Sequence, residues 1–261
     1  IPTQPDALVE AVRTHSPAPE RIVVETGTQS AWLVRGLATA GLPVELLDAR
    51  QVHNVLKLMP NKTDAKDARM LAEIALSGLA RPVAVKSADA QHLRGLLRAR
   101  TQLMRQGRDL ENTIRGLLST MGLRVAKGRG KFVRRVNALL VDNPELEAMI
   151  RPLLTARASV MAQADELAAE ITAQAKACPA CTLLMTIPGV GPITALGLVA
   201  TIDEPERFAR SRDVAAYLGL TPRRFQSGER DVSGSISKRG DSLMRSLIFE
   251  AASNLLTRVK G

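Results

Sequence analysis

Apolar residues recur every seventh position twice in this chain, and that spacing constrains the fold more than any other feature. Leu96, Leu103, Leu110 and Leu117 make the first row, with Leu93, Ile114 and Met121 at the companion position, where Arg100 and Gly107 interrupt. Leu146, Leu153, Val160 and Leu167 make the second row, with Ile150, Ala164 and Ile171 alongside. A seven-residue apolar repeat buries a narrow seam of one helix against another. The spacing therefore predicts two long helices folded back as an antiparallel hairpin, with the seam serving as core or as a dimer contact. Between them, Arg124 to Arg135 carries six cations and no acid, with Gly128 and Gly130. This reads as a loop, either ordered by a phosphate backbone or simply solvated.

The flanking segments are of other kinds. Residues 1–85 read as α/β: a helix over Pro5–Thr14, a strand over Arg21–Glu25, a helix over Ala31–Ala40 and a strand over Val44–Leu47. A further helix opens at Asn61-Lys62-Thr63-Asp64, runs to about Leu76 and stops near Gly78. Such alternation suggests a sheet covered by helices. Residues 86–178 hold the helical hairpin, and residues 179–261 read as a mainly helical C-terminal unit. The chain begins at Ile1 without methionine and enters a helix at once, which reads as the middle of a domain with residues missing upstream.

Aromatic residues are only 2% of the 261, so alanine, leucine and valine must build the core. The formal charge of +10 suits a nucleic-acid partner. No stretch of about 18 apolar residues and no signal peptide is present, so the expectation is a cytoplasmic protein without a membrane partner. Cys178-Pro-Ala-Cys181 has the spacing of a redox pair or half a zinc site. With no second Cys/His pair at ligand spacing, it reads as two reduced thiols in a turn. Trp32, the four phenylalanines and Tyr217 read as packing residues.

Three motifs could carry chemistry. Glu25 ends a strand, and Asp64 and Asp67 lie three apart on one face of a helix, an oxygen donor set that suits Mg²⁺. Asp64 serving only the helix N-terminus is the plainer reading. Ile187-Pro188-Gly189-Val190-Gly191-Pro192 reads as a helix-hairpin-helix turn, whose backbone N–H groups at Gly189 and Gly191 could hold a phosphate or could merely pack. Ser227 stands among Arg223, Arg224, Arg230, Lys238 and Arg239, with Gly228 beside it. The three histidines, His15, His53 and His92, are all far from it in sequence, so a hydrolase-type base is not evident. Cations around a serine suit attack on a phosphodiester better than acyl transfer. Ser233, Ser235, Ser237 and Tyr217 are the rival nucleophiles.

Taken in order, these stretches resemble one family. They are Glu25, Asn61-Lys62-Thr63-Asp64-Ala65-Lys66-Asp67, the Ile187–Pro192 turn, Ala215-Ala216-Tyr217-Leu218-Gly219-Leu220-Thr221-Pro222, Gln226-Ser227-Gly228 and Ile236-Ser237-Lys238-Arg239-Gly240-Asp241 with Arg245. The chain is similar to the insertion-sequence transposases related to the Piv invertase, the bridge-RNA-guided recombinases. The resemblance implies a Ruv-resolvase-like (RNase H-like) domain, a coiled-coil linker and a small helical transposase domain. It implies that Glu25, Asp64 and Asp67 are the last three of four Mg²⁺-binding acids, the first lying upstream of Ile1, so that the chain as it stands would cleave weakly or not at all. It further implies Ser227 as the nucleophile, DNA as substrate, a structured guide RNA and a homo-dimer or tetramer. The competing readings are a Ruv-like endonuclease that uses water, and a non-catalytic nucleic-acid-binding protein.

Overall fold

A computed structural model describes residues 1–57, 63–126, 130–228 and 230–258. Asn61, Lys62, Gly128 and the centre of the basic 124–135 stretch lie outside the described residues. The chain divides into two compact units, Ile1–Ser87 and Ala88–Gly261.

The first unit is built on a strand–helix–strand crossover. Strand β1 (Ile22–Glu25) pairs in parallel with β2 (Val44–Leu47), with Glu25 opposite Leu47. Helix α2 (Ser30–Thr39) makes the crossover and α1 (Pro5–His15) packs on it. Parallel strands need such a connection because a two-residue turn cannot bring the chain back to the same end. Two helices follow, α3 (Ala49–Leu56) and α4 (Asp64–Ser77). Their core joins Leu47, Val52, Ile74, Ala75 and Ala80. The strands and α1, α2 and α4 fall within a residue or two of the ranges read from sequence, whereas α3 was not foreseen. Its N-terminus is fixed by Asp48, whose carboxylate accepts the Arg50 N–H at 2.8 Å.

The second unit is organised by α5 (Ala88–Thr120) and α7 (Glu147–Ala177), which run antiparallel as the heptads require. The buried line is not the leucine row, however. Leu96, Leu103, Leu110 and Leu117 are half-buried, and the seam consists of Leu97, Gly107, Ile114 and Leu118 facing Ile150, Leu154, Ala164 and Ile171. Gly107, an interruption in the sequence pattern, is a fitted position. A Cβ there would lie 2.8 Å from the Met161 sulfur, so the small residue makes room for the large one opposite.

The basic stretch is also shorter than read. Helix α6 (Phe132–Asp142) starts inside it because Phe132, Val136 and Leu140, one turn apart, close the end of the hairpin over Ile114, Leu118 and Ile150. At the other end, α8 (Pro179–Leu184) and α9 (Pro192–Ile202) pack on the hairpin through Cys181, Ala195 and Leu196. Cys178 caps α8, its sulfur accepting the Cys181 N–H, and burial, with the neighbouring Cys178, pushes the Cys181 thiol up to about 12. The sequence reading was two reduced thiols in a helix-terminating turn, and Cys178 does end α7, its N–H donating to the Ala175 carbonyl, while the same residue also opens α8.

After α10 (Ser211–Tyr217) comes an antiparallel hairpin, β3 (Pro222–Ser227) and β4 (Arg230–Ile236), where a mainly helical unit was expected. Helix α11 (Ser242–Arg258) follows. The packing expectation holds for Phe132, which is buried, and for Phe208, which is half-buried, while Trp32, Phe225 and Phe249 are largely exposed. Tyr217 is partly exposed and meets Phe208 edge to face at 5.3 Å. No described helix is long and apolar enough to cross a membrane.

Candidate active site

The β3–β4 register sorts the hairpin's side chains by face. Ser227 pairs with Arg230 and Phe225 with Val232, so alternation puts these four on one face. Gln226, Asp231, Arg224 and Ser233 take the other. Ser227 is the last residue of β3, followed by Gly228 in the left-handed region (φ 56°), which turns the chain back. Its hydroxyl is exposed and makes no hydrogen bond among the described residues. It lines an open hollow of about 430 Å³ with Phe225, Gln226, Arg230 and Val232, and no histidine contributes. The hollow thus offers a bare hydroxyl, a guanidinium across the ladder and an exposed apolar floor.

The other predicted cations differ in their readiness. Arg224 is engaged on the opposite face, its Nε 2.9 Å from Asp231 Oδ1. The pairing raises the Arg224 pKa and lowers that of Asp231. Arg223 donates to the Ser237 carbonyl at 3.3 Å, and Arg239 also has a partner. Lys238 has φ 56° and donates its backbone N–H to the Gly219 carbonyl at 3.0 Å. Arg230 lies directly opposite Ser227 in the strand ladder, and Arg223, four residues before Ser227, falls on the same face but is engaged with the Ser237 carbonyl.

What holds this hairpin is a backbone-to-backbone lock that sequence reasoning missed. Gly219 (φ 71°) lies so close to the 238–240 segment that a Cβ would stand 2.6 Å from the Arg239 nitrogen. A Cβ on Gly240 would stand 2.4 Å from the Tyr217 carbonyl oxygen. Arg245 bridges both segments by donating to the Gly240 carbonyl at 2.7 Å and the Leu218 carbonyl at 3.3 Å. Asp241 then fixes the lock to α5, with Arg94 at 2.6 Å and Arg98 at 3.8 Å, while its other oxygen accepts the Met244 N–H at 3.0 Å. Burial works to raise the Asp241 pKa, but the Met244 bond and the two guanidinium groups hold it below the ordinary carboxylate range.

The turn before α9 is similarly close-packed. Gly189 (φ 88°) leaves room for the Ala251 carbonyl of α11, which would lie 2.5 Å from a Cβ. Gly191 is the N-cap residue of α9, and neither glycine N–H is bonded among the described residues.

In the first unit Glu25 is exposed at the carboxyl end of β1. Thr63, not Asp64, caps α4, its hydroxyl accepting the Lys66 N–H at 3.3 Å. Asp64 is therefore released from capping and is exposed, and Asp67 lies one turn further on. Helix α4 packs on β1. The donors are hard oxygens, as Mg²⁺ prefers, and Glu25 stands at a strand's carboxyl end, where α/β sheets bind ligands. Among the described residues no three acidic, histidine or cysteine side chains gather closely enough to hold a metal. The described residues therefore offer donors of a suitable kind but no assembled shell.

Two family models place the chain among transposases. One, a DEDD transposase of the IS110 type, matches residues 3–122, and the other, the transposase IS116/IS110/IS902 family, matches residues 181–260. The transposase for insertion sequence element IS1111A of Coxiella burnetii is 34% identical over 225 residues, covering 84% of this chain and 61% of that protein. A probable family 20 transposase of Pseudomonas aeruginosa is 30% identical over 237 residues, covering 88% of this chain and 70% of that protein. The chain belongs to the IS110/IS116 transposase family. A shorter similarity, 38% over 72 residues, links 27% of it to 22% of the pilin gene-inverting protein of Moraxella lacunata. The chain spans about three fifths of the length of the IS1111A relative, 61%.

Proposed function

We propose that this chain is the working part of a DNA transposase that cuts and rejoins strands through Ser227. The observation that carries the reading is the unbonded Ser227 hydroxyl on the same hairpin face as Arg230. In the reaction, the Ser227 oxygen attacks a DNA phosphorus. A phosphoserine bond forms, the bond from phosphorus to a sugar oxygen breaks, and the serine proton ends on that departing oxygen. A sugar hydroxyl from a second strand reverses the step and frees the serine, so bond energy is conserved and no external energy source is required. Arg230 neutralises the phosphate charge, and the Phe225–Val232 floor receives the adjoining sugar or base. Arg224 joins only if Asp231 releases it.

Glu25, Asp64 and Asp67 are the proposed Mg²⁺ ligands of a Ruv-resolvase-like first unit, a reading supported by the DEDD family match, the exposure of Glu25 at the end of β1 and of Asp64, and the packing of α4 on β1. When bound there, the metal would supply Lewis-acid neutralisation of phosphate charge. The glycine N–H groups at 189 and 191 and the cations Arg223, Lys238 and Arg239 are proposed to steady DNA backbone. A structured guide RNA, a dimer or tetramer, kinship with the Piv invertase and a cytoplasmic setting follow from the family resemblance, with the +10 charge in keeping with the nucleic acids.

The test is mass spectrometry of the whole natural protein after incubation with its element-end DNA and Mg²⁺. A nucleotide adduct on the Ser227 peptide is expected, absent in Ser227→Ala while DNA binding persists. Cut DNA with free ends and no adduct would withdraw Ser227 and favour a water-using Ruv-like nuclease. Binding without cleavage under any metal would favour the non-catalytic reading.

A further inference from the structure

The second unit carries a second arginine-rich surface, which shares no lining residue with the Ser227 hollow. A groove of about 1130 Å³ lies between α5, α7 and α11. Helix α5 lines it with Arg100, Met104 and Arg108, and α11 with Ser242, Ser246 and Glu250. A second hollow of about 590 Å³ shares Arg108 and Glu111 with it and adds Arg115 and Arg124. Together the two hold five arginines, counting Arg157, against two glutamates.

The five are not equally committed. Arg157 is paired with Glu111 at 2.8 Å, and Arg115 donates to the Val125 carbonyl and lies 4.8 Å over the Phe132 ring. Arg100 and Arg108 make no hydrogen bond or ion pair among the described residues, and the Arg100 Nε is buried without an acceptor. A buried guanidinium N–H without an acceptor destabilises the fold unless a ligand supplies one. Successive steps of eight and seven residues put Arg100, Arg108 and Arg115 on one side of α5, along about 22 Å of rise. An open cationic track of that length suits a polyanion better than a single small anion, since one strand of duplex presents a phosphate about every 3.4 Å. Met104 and Met161 give the groove an apolar floor for sugar edges.

We infer that the α5 face from Arg100 to Arg115 binds a phosphodiester backbone at a site separate from the one proposed for strand cleavage. The inference rests on the proposed function for the class of ligand, but its test reads binding alone and does not depend on Ser227.

The experiment measures affinity as a function of salt for the Arg100→Gln/Arg108→Gln chain, with a generic DNA duplex in one arm and a structured RNA hairpin in the other. Losing two phosphate contacts should flatten the log–log salt slope by about 1.8 for duplex, which is about 30-fold weaker binding at 0.15 M salt. Arg100→Lys/Arg108→Lys should retain most of the slope. Glu250→Gln, at an exposed position, should tighten binding, which keeps the test decisive if the arginine variant folds poorly. Flattening in the DNA arm alone assigns the groove to DNA, and flattening in the RNA arm alone assigns it to RNA. Unchanged slopes and affinities in both arms, with no gain from Glu250→Gln, would overturn the proposal.

Discussion

Asp241 tests the account of how the β3–β4 hairpin is held. Replacing it with alanine removes three things at once: the α11 cap through Met244, the 2.6 Å pair with Arg94 and the longer attraction of Arg98. Loss of a helix cap costs about 1 kcal/mol. Breaking a buried ion pair from one side costs about 3–5 kcal/mol. The side chains here are 15% and 23% exposed, so solvent screens the stranded Arg94 in part and the pair's share falls to about 1–3 kcal/mol. The total expected for Asp241→Ala is about 2–4 kcal/mol, or roughly 4–16 °C in Tm for a unit of this size. Asp241→Asn preserves a good capping acceptor and should lose only the electrostatic part. The assay is thermal unfolding followed by circular dichroism at 222 nm, repeated across pH. Because the folded pKa is depressed, Asp241 contributes stability above its unfolded value of about 3.9 and loses it as pH falls through the lower folded value. The parent should therefore lose stability on acidification through that window more steeply than Asp241→Asn. A Tm for Asp241→Ala within about 1 °C of the parent, or identical acid limbs in parent and Asp241→Asn, would refute the reasoning.

Gly240→Ala should unfold in denaturant with a stability lower by about 2–4 kcal/mol, because the added methyl meets backbone atoms that no rotamer can move. A loss under about 0.5 kcal/mol would show that the 217–219 and 238–240 segments do not interlock. Iodoacetamide at pH 8 should alkylate Cys178 and spare Cys181, since the latter is fully buried with its thiol pushed up to about 12. Peptide mapping that found Cys181 modified first would contradict that placement.

The sequence carried the periodic elements well and the aperiodic ones poorly. The heptads announced the α5–α7 hairpin and named Ile114, Ile150, Ala164 and Ile171 of its buried seam, yet they gave equal weight to the half-buried leucine row and missed Leu97, Leu118 and Leu154. A seven-residue repeat marks a helical stripe about 100° wide, and which edge of it is buried depends on the partner, here on Met161 needing the space at Gly107. Helix α6 was legible in Phe132, Val136 and Leu140 but was masked by the cations around its start. The β3–β4 hairpin had no apolar alternation to signal it, because every residue of β3 is exposed and its strand character comes from ladder pairing alone. The serine and acids were legible as residue types, and their surroundings were not. That Arg224 faces away toward Asp231 while Arg230 faces with Ser227 follows from strand register, which has no local signature when neither face is buried.

The most specific stretches of the chain therefore divide into scaffold and reactive surface. Tyr217–Gly219, Lys238–Asp241 and Arg245 are occupied with one another, through close backbone approach, carbonyl bonds and a helix cap. Groups committed in this way contribute to the chemistry by fixing position. Ser227 and Arg230 are the reverse, since they are exposed at the tip and paired with each other only through the backbone ladder. A two-stranded hairpin exposed on both faces has little stability of its own. Its root supplies what the strands lack: the bond from the Ser237 N–H to the Thr221 carbonyl and the Gly219–Gly240 lock lie directly below it. A loosened root would consequently move Ser227, the proposed nucleophile, without touching it. Damage at Gly240 or Asp241 should thus lower strand transfer while leaving the Ser227 hydroxyl chemically unchanged, whereas damage at Ser227 should abolish the adduct while leaving the fold intact.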